Sequence, residues 1–163
     1  MNHRPRVVFD CSIFWRALFY SGGSGKDCVN LIKEGSVTNF ISHEILDEVT
    51  DVLTRRETLE KFSFITKADA LTFIEGVVFR SVLLSHVPRA FRVPRDPKDE
   101  PYLDLAAAAD IKYLVTTDRD MLDLMTGIDI ESKQFRQRFR HLKIVKPLDL
   151  LGLLRTPGLP LKP

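Results

Sequence analysis

The feature that most constrains this chain is an alternation of short β-forming runs with helical stretches, in which two of the runs end on a carboxylate. Those runs are Arg6-Val-Val-Phe-Asp10 and Tyr113-Leu-Val-Thr-Thr-Asp118. Apolar runs of this length, rich in β-branched and aromatic residues, predict strands, and helices between them impose parallel pairing. The pattern predicts strands at 6–10, 37–41, 82–87, 113–117 and 142–145. Helices are expected at 12–19 with Ser12 as N-cap, 26–33 ending at Gly35, 42–56 capped by Ser42, and 66–79 opened by a Thr-x-x-Asp cap. Further helices are expected at 102–110 behind Asp99 and Pro101, at 118–125, and at 148–154 behind Pro147. The expected fold is α/β, a three-layer α/β/α sandwich around a central, mainly parallel sheet of about five strands. Such sheets bind their ligands at the carboxyl ends of the strands, where Asp10 and Asp118 fall.

A chain of 163 residues is long enough for one well-packed domain, expected over 1–155, and short for two. The proline-rich end, 156–163, is expected to be a tail that cannot continue a helix. No apolar run approaches the roughly 20 residues that span a bilayer. The basic start soon meets Asp10, which argues against a signal peptide, so a cytoplasmic location is expected. Cys11 and Cys28 have no metal-binding spacing and cannot form a disulfide framework. The histidines show no HExxH pattern. A net charge of +2 does not by itself announce a polyanion partner, but the charges are segregated. Cations gather at 89–95 and 133–146, and acids at 96–104 and 118–123.

Each acid has an ordinary reading beside a chemical one. Asp10 and Asp99 could cap helices, and Asp96 could be a turn residue beside Pro97. On a helical wheel the apolar stripe of 44–53 is Ile45, Leu46, Val49, Val52 and Leu53. Glu48 lies nearest its edge, whereas Asp47 and Asp51 point away. Asp118 stands directly at a strand end, and Asp120 and Asp123 favour a helix's first turn. Several carboxylates at one sheet edge repel one another, and a hard divalent cation resolves the repulsion.

Four stretches, taken in order, resemble the PIN-domain nucleases. They are Val7-Val-Phe-Asp-Cys-Ser-Ile-Phe14, Ile41-Ser-His-Glu-Ile-Leu-Asp-Glu48, Asp96-Pro-Lys-Asp99-Glu-Pro101 and Tyr113-Leu-Val-Thr-Thr-Asp118. The nearest likeness is to the VapC-related toxin components of toxin–antitoxin systems. The resemblance implies an endoribonuclease in which Asp10, Glu48, Asp99 and Asp118 hold Mg²⁺ or Mn²⁺. Ser12, Thr116 and Thr117 would support them, and Arg92, Arg95, Arg136, Arg138 and Arg140 would contact RNA. It also implies a small antitoxin as partner and a possible homodimer. The family often has Thr-Asn after the first aspartate, where this chain has Cys11-Ser12, a change expected to tune activity.

Three other classes compete. One is a PIN-fold RNA- or protein-binding module with weak catalysis. A second, a haloacid-dehalogenase-type phosphatase, wants Asp-x-Asp, and Ser12 stands at its second position. A third, a dinucleotide-binding enzyme, fails because Ser21-Gly-Gly-Ser-Gly25 is not GxGxxG and does not directly follow the strand.

Overall fold

A computed structural model describes residues 3–93 and 95–155; the expected proline-rich tail lies outside the described residues. The chain forms β1 (Arg6–Phe9), α1 (Cys11–Phe19), α2 (Ser24–Lys33), β2 (Thr38–Ser42) and α3 (His43–Leu53). It continues through α4 (Arg56–Lys61), α5 (Lys67–Phe79) and β3 (Val82–Leu84). A 3-10 turn, Pro97–Asp99, leads into α6 (Glu100–Ala108). Then follow β4 (Tyr113–Val115), α7 (Arg119–Asp123), α8 (Ile130–Arg138), β5 (Lys143–Val145) and α9 (Pro147–Arg155).

The five strands pair in parallel in the order β3-β2-β1-β4-β5, and helices flank the sheet, giving the expected α/β sandwich. The central strand β1 carries Val7, Val8 and Phe9, all essentially buried, as a strand covered on both faces requires. From β1 the chain builds outward through β2 to β3, then returns to lay β4 and β5 on the other side. The order therefore reverses between β1 and β4, and their carboxyl ends flank the crevice where such sheets take ligands.

Local chemistry explains most element ends. Thr66 and Asp69 form a full capping box at the start of α5, and the Ser42 hydroxyl accepts from the Ile45 N–H to open α3. Gly35, at φ +70°, ends α2 in the left-handed region that favours glycine. Gly25 lets α2 approach α1 closely, because a Cβ there would stand 2.7 Å from the Arg16 Cβ.

Several expectations need correction. Ser12 is not the N-cap of α1: Asp10 holds that position and Ser12 lies in the first turn. The helix expected to run to residue 56 stops at Leu53, and a separate α4 follows. The strand expected at 82–87 is shorter, and α8 forms where no element is expected. Phe62 packs against Trp15 and Phe19, while Phe64 and Phe79 are 68% and 85% exposed. Among the described residues, no helix is long and apolar enough to cross a membrane.

Candidate metal centre

At the carboxyl edge of the sheet the backbone sets the acids before any side chain acts. The Asp10 N–H donates to the Val115 carbonyl at 2.9 Å, so β1 and β4 remain registered to their last residues. The Thr116 hydroxyl, fully buried just past β4, donates to Asp10 Oδ2 at 2.8 Å and accepts from the Asp118 N–H at 3.0 Å. One threonine thus fixes both strand-end aspartates. Ser12 donates a second hydrogen bond to Asp10 Oδ2 at 2.9 Å and accepts one from Thr117 at 3.1 Å. Asp10 makes no side-chain cap bond to α1, so its carboxylate is spent on orientation and not on capping.

Asp99 reaches the same edge from the junction of the 3-10 turn and α6. It also makes no side-chain cap bond, and its Oδ2 is buried without a hydrogen-bond partner among the described residues. Leaving a buried carboxylate oxygen unpaired is costly unless a cation or a proton meets it. Ligand atoms of Asp96, Asp99 and Asp118 lie within 4.8 Å of one another, a spacing one divalent ion could bridge. Asp96 therefore belongs to the cluster, although its Oδ1 also serves the turn by accepting from the Lys98 N–H. Asp118 caps α7 through Oδ1, which accepts from the Asp120 N–H at 2.8 Å.

Glu48 approaches from α3. It is half-buried, whereas Glu44, Asp47 and Asp51 on the same helix are more open to solvent or lie off its inward face. The Tyr102 hydroxyl, buried on α6, donates to Glu48 Oε2 and accepts from the Cys11 N–H at 3.2 Å. Tyr102 thus ties α6, α3 and the start of α1 together behind the acids. Nothing in its local sequence marks this role, because its partners lie 54 and 91 residues away. Asp104, two residues further along α6, is structural: its Oδ1 accepts from the Ala90 and Phe91 N–H groups and fastens the segment leading to the 3-10 turn.

The electrostatics match the geometry. Burial, then the negative charge of Asp118, Asp96 and Asp10, pushes the Asp99 carboxyl up to about 7. Burial also raises Asp10 from its ordinary value, against hydrogen bonds from Thr116 and Ser12 that pull it down. Glu48 is raised chiefly by burial, with the Tyr102 hydrogen bond opposing and Asp10 reinforcing. Charge couples Asp10 to both Glu48 and Asp99, and Asp96 to Glu48, so the five acids influence one another across this edge. The donor set is all oxygen and strongly anionic, which suits a hard divalent cation. Thiol chemistry does not fit: Cys11 and Cys28 are buried, and burial pushes both up to about 12.

The five arginines expected to contact RNA are scattered. Arg92 is exposed. Arg95 pairs with Glu131 at 2.9 Å and Asp129 at 3.8 Å. Arg136 is engaged structurally, donating to the Leu124 and Gly127 carbonyls at 2.9 and 2.8 Å. Arg138 and Arg140 line a cavity with Asp110 and Leu142, residues that precede β4 and β5. Those two arginines are therefore at the amino ends of the strands, opposite the carboxylates.

In comparison with known proteins, the model of the PIN domain family matches residues 6–120, a span that includes all the acids of this edge. No curated protein matches the chain.

Proposed function

The chain belongs to the PIN domain family, and from that premise we propose that it is a divalent-metal-dependent endoribonuclease, the toxin of a toxin–antitoxin pair related to the VapC group. The observation that carries this reading is the buried Asp99 Oδ2, without a hydrogen-bond partner among the described residues, inside a cluster with Asp96 and Asp118. Asp99 and Asp118 would hold the ion, with Asp96 and Asp10 at its flanks and Glu48 behind. Bound there, Mg²⁺ or Mn²⁺ supplies Lewis acidity that acidifies water and neutralises charge on a phosphoryl group.

The chain's own groups do the rest. Thr116 and Ser12 hold Asp10 in one rotamer, so the edge is organised before substrate arrives. Tyr102 occupies Glu48 Oε2, leaving Oε1 to accept a proton. RNA is the proposed substrate, and Arg92, exposed in the segment that leads to Asp99, is the member of the expected set proposed to meet it. The exposed rings of Phe64 and Phe79 are the proposed contacts for an antitoxin or a second copy.

A second reading has one observation in its favour. The Ser12 hydroxyl, standing where the family often has asparagine, is consumed between Asp10 and Thr117. A PIN-fold module that binds RNA or protein with weak catalysis would tolerate that. Labelled single-stranded RNA incubated with Mn²⁺, Mg²⁺ or EDTA separates the two. Cleavage that needs metal and is lost in Asp10→Asn supports the nuclease. RNA binding that persists in EDTA, with no cleavage under any metal and restoration of cleavage by Ser12→Asn, supports the module.

A further inference from the structure

The pole of the sheet opposite the carboxylates carries a cation at the amino end of every strand. Following the spatial order β3-β2-β1-β4-β5, these are Arg80 before β3, Lys33 before β2, Arg4 and Arg6 at β1, Lys112 before β4, and Lys143 opening β5. Neighbouring strands lie about 4.8 Å apart, so a row across five strands is roughly 19 Å long. Two adjoining concavities follow it from the β3 end as far as β4. One, of about 840 Å³, is lined by His3, Arg4, Arg6 and Lys112 and, among the described residues, by no carboxylate. The other, of about 300 Å³, shares Arg4 and Gly35 with the first and adds Lys33, Arg80 and the acid Glu34.

Arg4, Arg6 and Lys112 are held in place by their neighbours. Arg6 Nε donates to the Ala109 carbonyl at 2.7 Å, and its guanidinium lies 4.4 Å over the Phe40 ring. The Arg4 guanidinium rests against Gly35, within 3.5 Å of where a Cβ would stand. Lys112 Nζ lies 5.3 Å from the centre of the Tyr113 ring. Among the described residues, none of these cations is within 4 Å of a carboxylate oxygen. Helix dipoles account for Lys33 and Arg80, which sit at helix ends, but not for Arg4, Arg6, Lys112 and Lys143, which lead into strands.

We propose that this basic pole is a second nucleic-acid site, binding the phosphodiester backbone of single-stranded RNA remote from the carboxylate edge. A row this long exceeds the reach of one phosphate group and fits a chain of them. That the polymer is RNA rests on the reading of the carboxylate edge given above; the affinity for a chain of phosphates does not. A long substrate would be held at the basic pole while a distant segment enters the acidic edge, so the pole sets affinity and leaves the chemistry untouched.

The test uses the full chain carrying Asp10→Asn, in EDTA, with a labelled single-stranded RNA long enough to span the row. Adding Arg4→Gln, Lys112→Gln and Lys143→Gln together should weaken binding about tenfold or more. The slope of log affinity against log salt should flatten by roughly 2, at about 0.7 for each phosphate no longer neutralised. Free ATP and orthophosphate should not displace the RNA at concentrations that match its phosphate content. In the active background, the triple variant should cleave a short oligoribonucleotide at the unaltered rate while its KM for the long RNA rises. Unchanged affinity and salt slope in the triple variant would overturn the proposal, as would displacement by ATP as effective as by RNA. Because the binding arm requires no cleavage, an inactive enzyme would count against the nuclease reading and leave this result legible.

Discussion

Replacing Asp99 by asparagine should stabilise the metal-free protein above neutral pH. A carboxyl moved from 3.8 to about 7 has a charged form disfavoured in the fold. At about 1.4 kcal/mol for each tenfold change in its ionisation constant, the full effect is about 4 kcal/mol. Neighbouring carboxylates and entering water take up part of it, so a gain of about 1–2 kcal/mol is expected at pH 8. The sign follows from proton linkage. Between pH 3.8 and about 7 the folded chain keeps a proton on Asp99 that the unfolded chain releases. The stability Asp99 contributes is therefore fully present below pH 3.8 and is lost as pH rises through about 7. In a domain of this size about 1–2 kcal/mol moves Tm by about 3–6 °C. Thermal unfolding in EDTA at pH 8 should place Asp99→Asn above the wild type by that margin, and the two should converge towards pH 4. Adding Mn²⁺ should invert the order, since an ion at a hundred times its Kd stabilises only the chain that binds it, by about 2.7 kcal/mol. An Asp99→Asn protein less stable than wild type in EDTA at pH 8, by the same amount as at pH 4, would refute the reasoning. It would mean that the carboxylate is satisfied in the fold and not strained.

Other predictions follow from single hydrogen bonds. Tyr102→Phe strips the Cys11 N–H and Glu48 Oε2 of their partner and should cost about 1–3 kcal/mol in urea unfolding, with a drop in kcat larger than any change in KM. Thr116→Val keeps the shape but releases Asp10 and the Asp118 N–H; Mn²⁺ affinity by calorimetry should fall about 10–100-fold while the far-ultraviolet circular dichroism spectrum is unchanged. Thr66→Ala removes the capping box of α5, away from the acids, and should lower stability by about 1 kcal/mol with RNA cleavage unaffected.

Much of the arrangement was legible because its signals are local. An apolar run ending in Asp10 or Asp118 announces a buried strand and where it emerges, and the edge position of Glu48 on its helix announced its half-buried face. Thr66 with Asp69, and Ser42, read directly as caps. What escaped was non-local or weakly patterned. In α8 only Ser132 and Phe135 are buried, so no apolar stripe betrays the helix, and its cations read as a basic cluster. That helix ends at the amino pole, which is why Arg138 and Arg140 lie away from the acids. Asp96 was legible only as a turn residue because its turn role is real; its nearness to Asp118 is a tertiary fact. The reversal of strand order between β1 and β4, which brings Asp10 and Asp118 together, likewise belongs to topology and not to any one segment.

The most direct measurement is a crystal of the protein grown or soaked with Mn²⁺, with anomalous diffraction collected to locate the ion. A peak is expected among the carboxylates of Asp96, Asp99 and Asp118, coordinated by the Asp99 oxygen that has no partner among the described residues, and absent from Asp99→Asn crystals. An ordered carboxylate edge without an anomalous peak in saturating Mn²⁺, or a peak that persists there in Asp99→Asn, would contradict it.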